Sequence, residues 1–174
     1  MSAPDRILVA GIGNIFLGDD AFGVEVVREL TRSELPEGVN VVDFGIRGYD
    51  LAYAIMDGYA TTILVDTTAR GNPPGTLYLI ELDQGELAKL EGEVPDGHSL
   101  GPLQVLGLVR SLGGEIPGLF LVGCEPAVLE TEDGEISLSE SVRAAVPEAV
   151  EMIRTLVNDL RAPAQKRNSS ENWV

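Results

Sequence analysis

The sequence predicts an α/β fold: a three-layer sandwich whose five-stranded, twisted sheet is mostly parallel, with one strand antiparallel. Three observations carry this expectation. Short uncharged runs of branched residues, such as Ile7-Leu8-Val9, read as strands buried on both faces. Segments with helical apolar spacing alternate with them, as crossover units require. One pair of runs is joined by too little chain for a helical crossover, which makes its second member antiparallel.

Taken in order, Ile7–Val9 predicts the first strand, broken by Gly11-Ile12-Gly13-Asn14. Asp19 and Asp20 then open an amphipathic helix through Val24, Val27 and Leu30. Val39–Phe44 (VNVVDF) predicts a second strand with Asp43 near its end, followed by Gly45 and Gly48 and a short helix over Tyr49–Met56. Thr61–Asp66 (TTILVD) predicts a third strand, again closed by an aspartate. Arg70-Gly71-Asn72-Pro73-Pro74-Gly75 is turn chemistry, leading to a fourth strand over Thr76–Leu82, expected antiparallel to the third. Residues 83–97 are polar and acidic, and Leu103, Val105, Leu106 and Val109 give helical spacing within Leu100–Leu112. Leu119–Val122 predicts the fifth strand, and Val142–Leu160 a long closing helix. Residues 1–161 are expected to form one domain, and 162–174 a disordered tail bearing Pro, Ser and Asn.

A chain of 174 residues suits one domain, burying roughly two-thirds of its unfolded surface. Twelve basic against 28 acidic side chains give a net charge of −16. Such a surface repels phosphate backbones and anionic lipid, which argues against nucleic-acid and membrane partners and leaves room for a cation. No apolar run reaches the roughly 20 residues of a spanning helix, and the N-terminus lacks a signal-peptide pattern. The single cysteine, Cys124, excludes an internal disulfide and a thiolate zinc cluster. A cytoplasmic protein is expected.

Gly11 and Gly13 invite a dinucleotide-binding reading, but Phe16 stands where the fingerprint needs its third glycine, and Asp19 and Asp20 would repel a pyrophosphate. Negative charge at this helix start argues instead for a cation. In parallel α/β sheets, functional residues gather beyond the carboxyl ends of the strands, where Asp20, Asp43 and Asp66 all fall. The sole histidine, His98, occupies the loop Pro95-Asp96-Gly97-His98-Ser99. Its plain reading is a surface or capping residue, yet a loop entering the helix before the fifth strand can fold back onto the same edge. Two carboxylates and one imidazole would make a mixed oxygen and nitrogen site for a divalent ion, with open positions.

The stretch GIGNIFLGDDAFG, Val65-Asp66 at the end of strand three, Gly97-His98-Ser99 and Val122-Gly123-Cys124-Glu125-Pro126 together resemble the hydrogenase maturation endopeptidase family. The resemblance spans roughly Ile7 to Leu160. It implies a mixed five-stranded sheet flanked by helices, and an aspartic-type endopeptidase that removes the C-terminal extension of a nickel–iron hydrogenase large-subunit precursor. It also implies that Asp20, Asp66 and His98 are the catalytic, nickel-binding residues, the nickel being carried by the substrate rather than held at rest. The precursor is the implied partner, and the protein is expected to act as a monomer. Two departures stand out. The first ligand is glutamate in several members and aspartate here, with Asp19 expected to cap the helix. Some members carry a DGGT-type segment where this chain has Asp43-Phe44-Gly45-Ile46-Arg47-Gly48. Asp43 and Gly45 are the candidate substrate contacts, the glycine permitting a tight loop.

Other chemistries are weaker. Cys124 with His98 would form a thiol pair without a recognisable orienting group, and a small cysteine at a strand end packs well as core. Ser99 directly follows the only histidine, and no G-x-S-x-G elbow is present. A docking chaperone that senses nickel without cutting would need the same three ligands.

Overall fold

The computed structural model describes residues 5–88, 101–127 and 137–162. Five strands form one sheet: β1 (Ile7–Ile12), β2 (Val39–Gly45), β3 (Thr61–Thr67), β4 (Leu77–Glu81) and β5 (Leu119–Cys124). The helices are α1 (Phe22–Leu30), α2 (Gly48–Ile55), α3 (Gln84–Ala88), α4 (Pro102–Ser111) and α5 (Glu140–Arg161). A 3-10 turn over Gly18–Ala21 precedes α1. The spatial order is β2-β1-β3-β5-β4, parallel throughout except for β4 against β5. The mixed sheet with one antiparallel strand is the one the sequence predicts.

Strand alternation divides the core into two halves. Ile7, Val9, Ile63, Val65, Val122 and Cys124 point to one face and pack under α1 and α5. Leu8, Ala10, Ile12 and Leu64 point to the other and pack under α2 and α4. Both faces are covered, so the central strands carry no polar alternation, as parallel sheets require.

Three details differ from the sequence reading. First, β1 does not break at Gly11 but runs through Ile12. Gly11 stays in the strand because α1 crosses it closely: a Cβ there would lie 2.6 Å from the Gly23 carbonyl oxygen and from Val27. Secondly, β4 runs opposite to β3, as expected, but its neighbour is β5, and it forms the sheet edge. The turn-rich link carries the chain past the β5 position, which a later segment fills. Thirdly, the acidic stretch after β4 begins with the short helix α3. There Asp83 and Glu86 exchange hydrogen bonds with each other's main-chain N–H groups, closing a capping box. At α4, Pro102 occupies the first turn and the Gln104 side chain accepts the Gly101 N–H at 2.8 Å.

The expected tail, apart from Ala162, and most of the 83–97 stretch lie outside the described residues. No described helix is long and apolar enough to cross a membrane.

Candidate active site

The chain runs from β1 to β2 on one side and then returns to β3 on the other, so the sheet order reverses between β1 and β3. Beyond the carboxyl ends of strands at such a switch point, the flanking loops diverge and leave a crevice. Asp20 follows β1 and Asp66 is the penultimate residue of β3, so these two acids border that crevice.

Asp20 is held by a folded turn. Asn14 accepts the Phe16 N–H through its side chain and the Leu17 N–H through its carbonyl. Leu17 in turn accepts the Asp20 N–H, and the Asn14 N–H donates to Asp20 Oδ2 at 2.8 Å. The turn closes only because residue 13 is glycine: its φ is +143°, and a Cβ would lie 1.8 Å from the Asp20 carbonyl oxygen. Gly45, at φ +55°, accepts the Gly13 N–H and ties the end of β2 to the same turn.

Thr67 bridges the two carboxylates. Its N–H donates to Asp66 Oδ1 at 2.8 Å, and its hydroxyl donates to Asp20 Oδ1 at 3.3 Å. Asp66 is only 7% exposed. Burial, and then the negative charge of Asp20, push its carboxyl up to about 8, against the Thr67 hydrogen bonds that favour ionisation. Two acids with one proton between them can bind a cation by losing that proton, or can pass it to and from a substrate. Thr67 has no sequence signal beyond its place after a strand-ending aspartate.

Asp19 does not cap its own helix. Wholly buried, it accepts the Ser139 N–H at 2.7 Å, the Ser139 hydroxyl at 2.9 Å and the Ala127 N–H at 2.8 Å. It thereby ties the turn carrying Asp20 to the exit of β5 and the start of α5. The adjacent acids divide the work: Asp19 is directed into the fold, while Asp20 meets Thr67 from β3.

Asp43 lies at the end of edge strand β2, 3.9 Å from the Arg28 guanidinium of α1, and its carbonyl accepts from Arg47. Among the described residues, no group of three or more His, Cys, Asp or Glu forms a metal-binding cluster, so Asp43 does not complete one with Asp20 and Asp66. His98 lies outside the described residues. Cys124 is fully buried in the α1/α5 core. Burial first, then Asp19 and Glu125, push its thiol up to about 12, which leaves it a poor nucleophile.

Glu125 is a buried acid whose role is not readable from sequence. It accepts the Arg70 N–H at 2.9 Å, the Gly71 N–H at 3.1 Å and the Tyr78 hydroxyl at 2.6 Å. The Tyr78 hydrogen bond, with those from the loop, holds its carboxyl below the ordinary range. Glu125 thus fastens the β3–β4 link immediately beyond Asp66.

The family model described as hydrogenase maturation protease matches residues 24–156. A putative hydrogenase maturation protease of Methanocaldococcus jannaschii is 34% identical over 148 residues, covering 84% of this chain and 93% of that protein. The hydrogenase 2 maturation protease of Escherichia coli is 32% identical over 165 residues, covering 94% and 98%. Among solved structures, the hydrogenase maturating endopeptidase HybD of E. coli is similar with a TM-score of 0.71 and 31% identity, covering 88% of this chain and 93% of that one. A hydrogenase 2 maturation peptidase from a Thaumarchaeota archaeon gives a TM-score of 0.67 and 32% identity, over 88% and 98%.

Proposed function

The chain belongs to the hydrogenase maturation protease family, and from that premise we propose that it is an endopeptidase that trims the C-terminal extension of a nickel–iron hydrogenase large-subunit precursor. In this reading the precursor arrives with nickel in place. Asp20, Asp66 and, from the sequence, His98 bind that nickel, and Asp43 and Gly45 contact the polypeptide that carries it. The protein acts as a monomer, in the cytoplasm where the precursor is assembled.

The observation that carries the reading is the carboxylate pair bridged by Thr67 at the switch point. Oxygen ligands beside an imidazole suit a borderline divalent ion and leave positions for the ligands the substrate already supplies. Fixing the ion fixes the extension next to it, and positioning alone supplies several kcal/mol of rate acceleration, on the order of that seen in oriented intramolecular reactions. With both acids ionised on the metal, a carboxylate oxygen not engaged with it takes the proton of the attacking water and returns it to the leaving amine, an aspartic-type role. Exposed apolar side chains near the crevice, Phe16 after β1 and Ile46 and Tyr49 after β2, suit a protein partner.

Incubating the protein with nickel-loaded and nickel-free precursor at equal concentration, followed by mass measurement, tests this reading. The loaded precursor should lose its extension and the nickel-free one should remain intact. Equal cleavage of both would overturn nickel recognition. Binding of the loaded precursor without any loss of mass would favour a docking chaperone.

A further inference from the structure

A pocket of about 230 Å³ adjoins Asp66 on the α2/α4 face of the sheet. Leu64 of β3, Leu121 of β5, Leu82 after β4, and Leu103 and Leu106 of α4 line it. Asp66, Thr67 and Thr68 also border it, but the surface it presents is almost wholly apolar. The volume falls below the roughly 300–1,000 Å³ typical of pockets for drug-sized ligands, and suits a single large side chain. Leu64 and Leu106 are fully buried core residues and form a fixed floor, whereas Leu103 is 53% exposed at the first turn of α4.

Continuity with the carboxylate pair decides what this pocket is for. Asp66 belongs to both, and Thr67, which lines the pocket, donates its hydroxyl to Asp20. Whatever enters therefore lies next to the groups assigned above to the substrate's metal and scissile bond. An acidic side chain would meet two carboxylates. A basic one would reach Asp66 only by competing with the metal for it, and the leucine walls offer its head no further acceptor. An aliphatic side chain fits both the walls and the charge.

We propose that this pocket receives one aliphatic side chain of the precursor next to the scissile bond, and that Leu103 sets the size it accepts. The proposal rests on the protease reading above and adds its specificity-determining residue. One methylene gained or lost in an apolar pocket changes selectivity by roughly 10–200-fold, so side-chain size at that position is expected to govern cleavage.

The test uses nickel-loaded precursors carrying Ala, Val, Leu, Phe or Glu at the residue on either side of the cleaved bond. At one of the two positions, kcat/KM should rise at least tenfold from Ala to Leu and fall at least tenfold for Glu. Leu103→Ala should move the preference towards Phe, and Leu103→Trp towards Ala. Cleavage without size preference at either position would overturn the pocket's role. So would Leu103 variants that shift Tm but not preference, an outcome showing that the chain's own residues fill the space. Failure of the wild-type protein to cut any loaded precursor is a distinct result, and it would overturn the protease reading and this proposal together.

Discussion

A buried acid that must lose a proton before it can hold a cation leaves a mark on both stability and binding. Below its ordinary value of 3.8, Asp66 is protonated in the folded and unfolded chain alike. Between 3.8 and about 8 the unfolded chain has released the proton and the folded chain keeps it. The folded state therefore binds more protons in that window, so stability falls as pH rises through it. Thermal melts from pH 5 to pH 9 should show a declining Tm, each 1 kcal/mol lost costing roughly 2–4 °C in a chain of this size. Asp66→Asn should flatten that decline, and a Tm that climbs with pH in the wild type and not in the variant would contradict it. Nickel binding by the isolated protein should strengthen over the same window, because the ligand must be ionised. Asp19 makes the complementary residue-scale case. Asp19→Ala leaves the Ala127 and Ser139 amides without their carboxylate, at about 1–3 kcal/mol for each buried group left unpaired. Chemical denaturation should register that loss, whereas Asp20→Asn should abolish processing with stability changed by less than about 1 kcal/mol. Equal destabilisation by the two would erase the division of labour between them. Asp20 and Asp66 were legible in the sequence because each follows a short apolar run that could only be a buried strand. The partners of Asp19 were not, since they lie 108 and 120 residues away. Thr67 was missed because a β-branched residue at a strand end needs no other explanation.

At the scale of elements, the first strand–turn–helix unit is set by glycine more than by hydrophobic pattern. Gly23, in the first turn of α1, lets that helix rest directly on the sheet: a Cβ would lie 2.1 Å from the Val65 carbonyl oxygen and 2.3 Å from that of Ile12. Both contacts are backbone, so no side-chain rotation relieves them. Gly23→Ala must push α1 off β1 and β3, at a cost of about 1–3 kcal/mol for overpacking. Because the turn carrying Asp20 leads directly into α1, that shift also reaches the carboxylate pair. Guanidinium denaturation should show the destabilisation, and precursor cleavage should fall at temperatures well below the melt. A variant of wild-type stability would show that α1 tolerates displacement. The sequence reading placed all five strands and the four longer helices by their periodicity. Yet it ended β1 too early at Gly11, opened α1 at Asp19 and Asp20, which lie in the 3-10 turn before it, and did not foresee α3. A glycine in a strand reads locally as a break, and only the helix crossing above it explains its presence. The antiparallel direction of β4 followed from the short link at residues 70–75, whereas its place beside β5 depended on a strand not yet formed in chain order.

For the whole molecule, the question is whether the metal belongs to the fold or to the visitor. Structural metal sites supply folding energy in small domains that lack sufficient core. Here both faces of the sheet are covered, with Phe22, Val26, Ile153 and Val157 among the buried side chains on one and Leu51, Ile55, Leu106 and Val109 on the other. Asp20 and Asp66 stand at the rim of that core and take no part in joining its two halves. Hydrogen bonds from Asn14 and Thr67 hold their carboxylates in place. A chelator should therefore leave the far-ultraviolet circular dichroism and the cooperative melt unchanged. Added nickel should raise Tm only by mass action, in proportion to the logarithm of its concentration above Kd. The net charge of −16 attracts cations in general, so the informative comparison is wild type against Asp20→Asn in equal nickel and equal salt. A site-specific shift is lost in the variant, whereas diffuse attraction of cations changes little with one charge removed. Unfolding on chelation would make the metal a resident structural element, and the idea of a protease that waits for its substrate's nickel would fall with it.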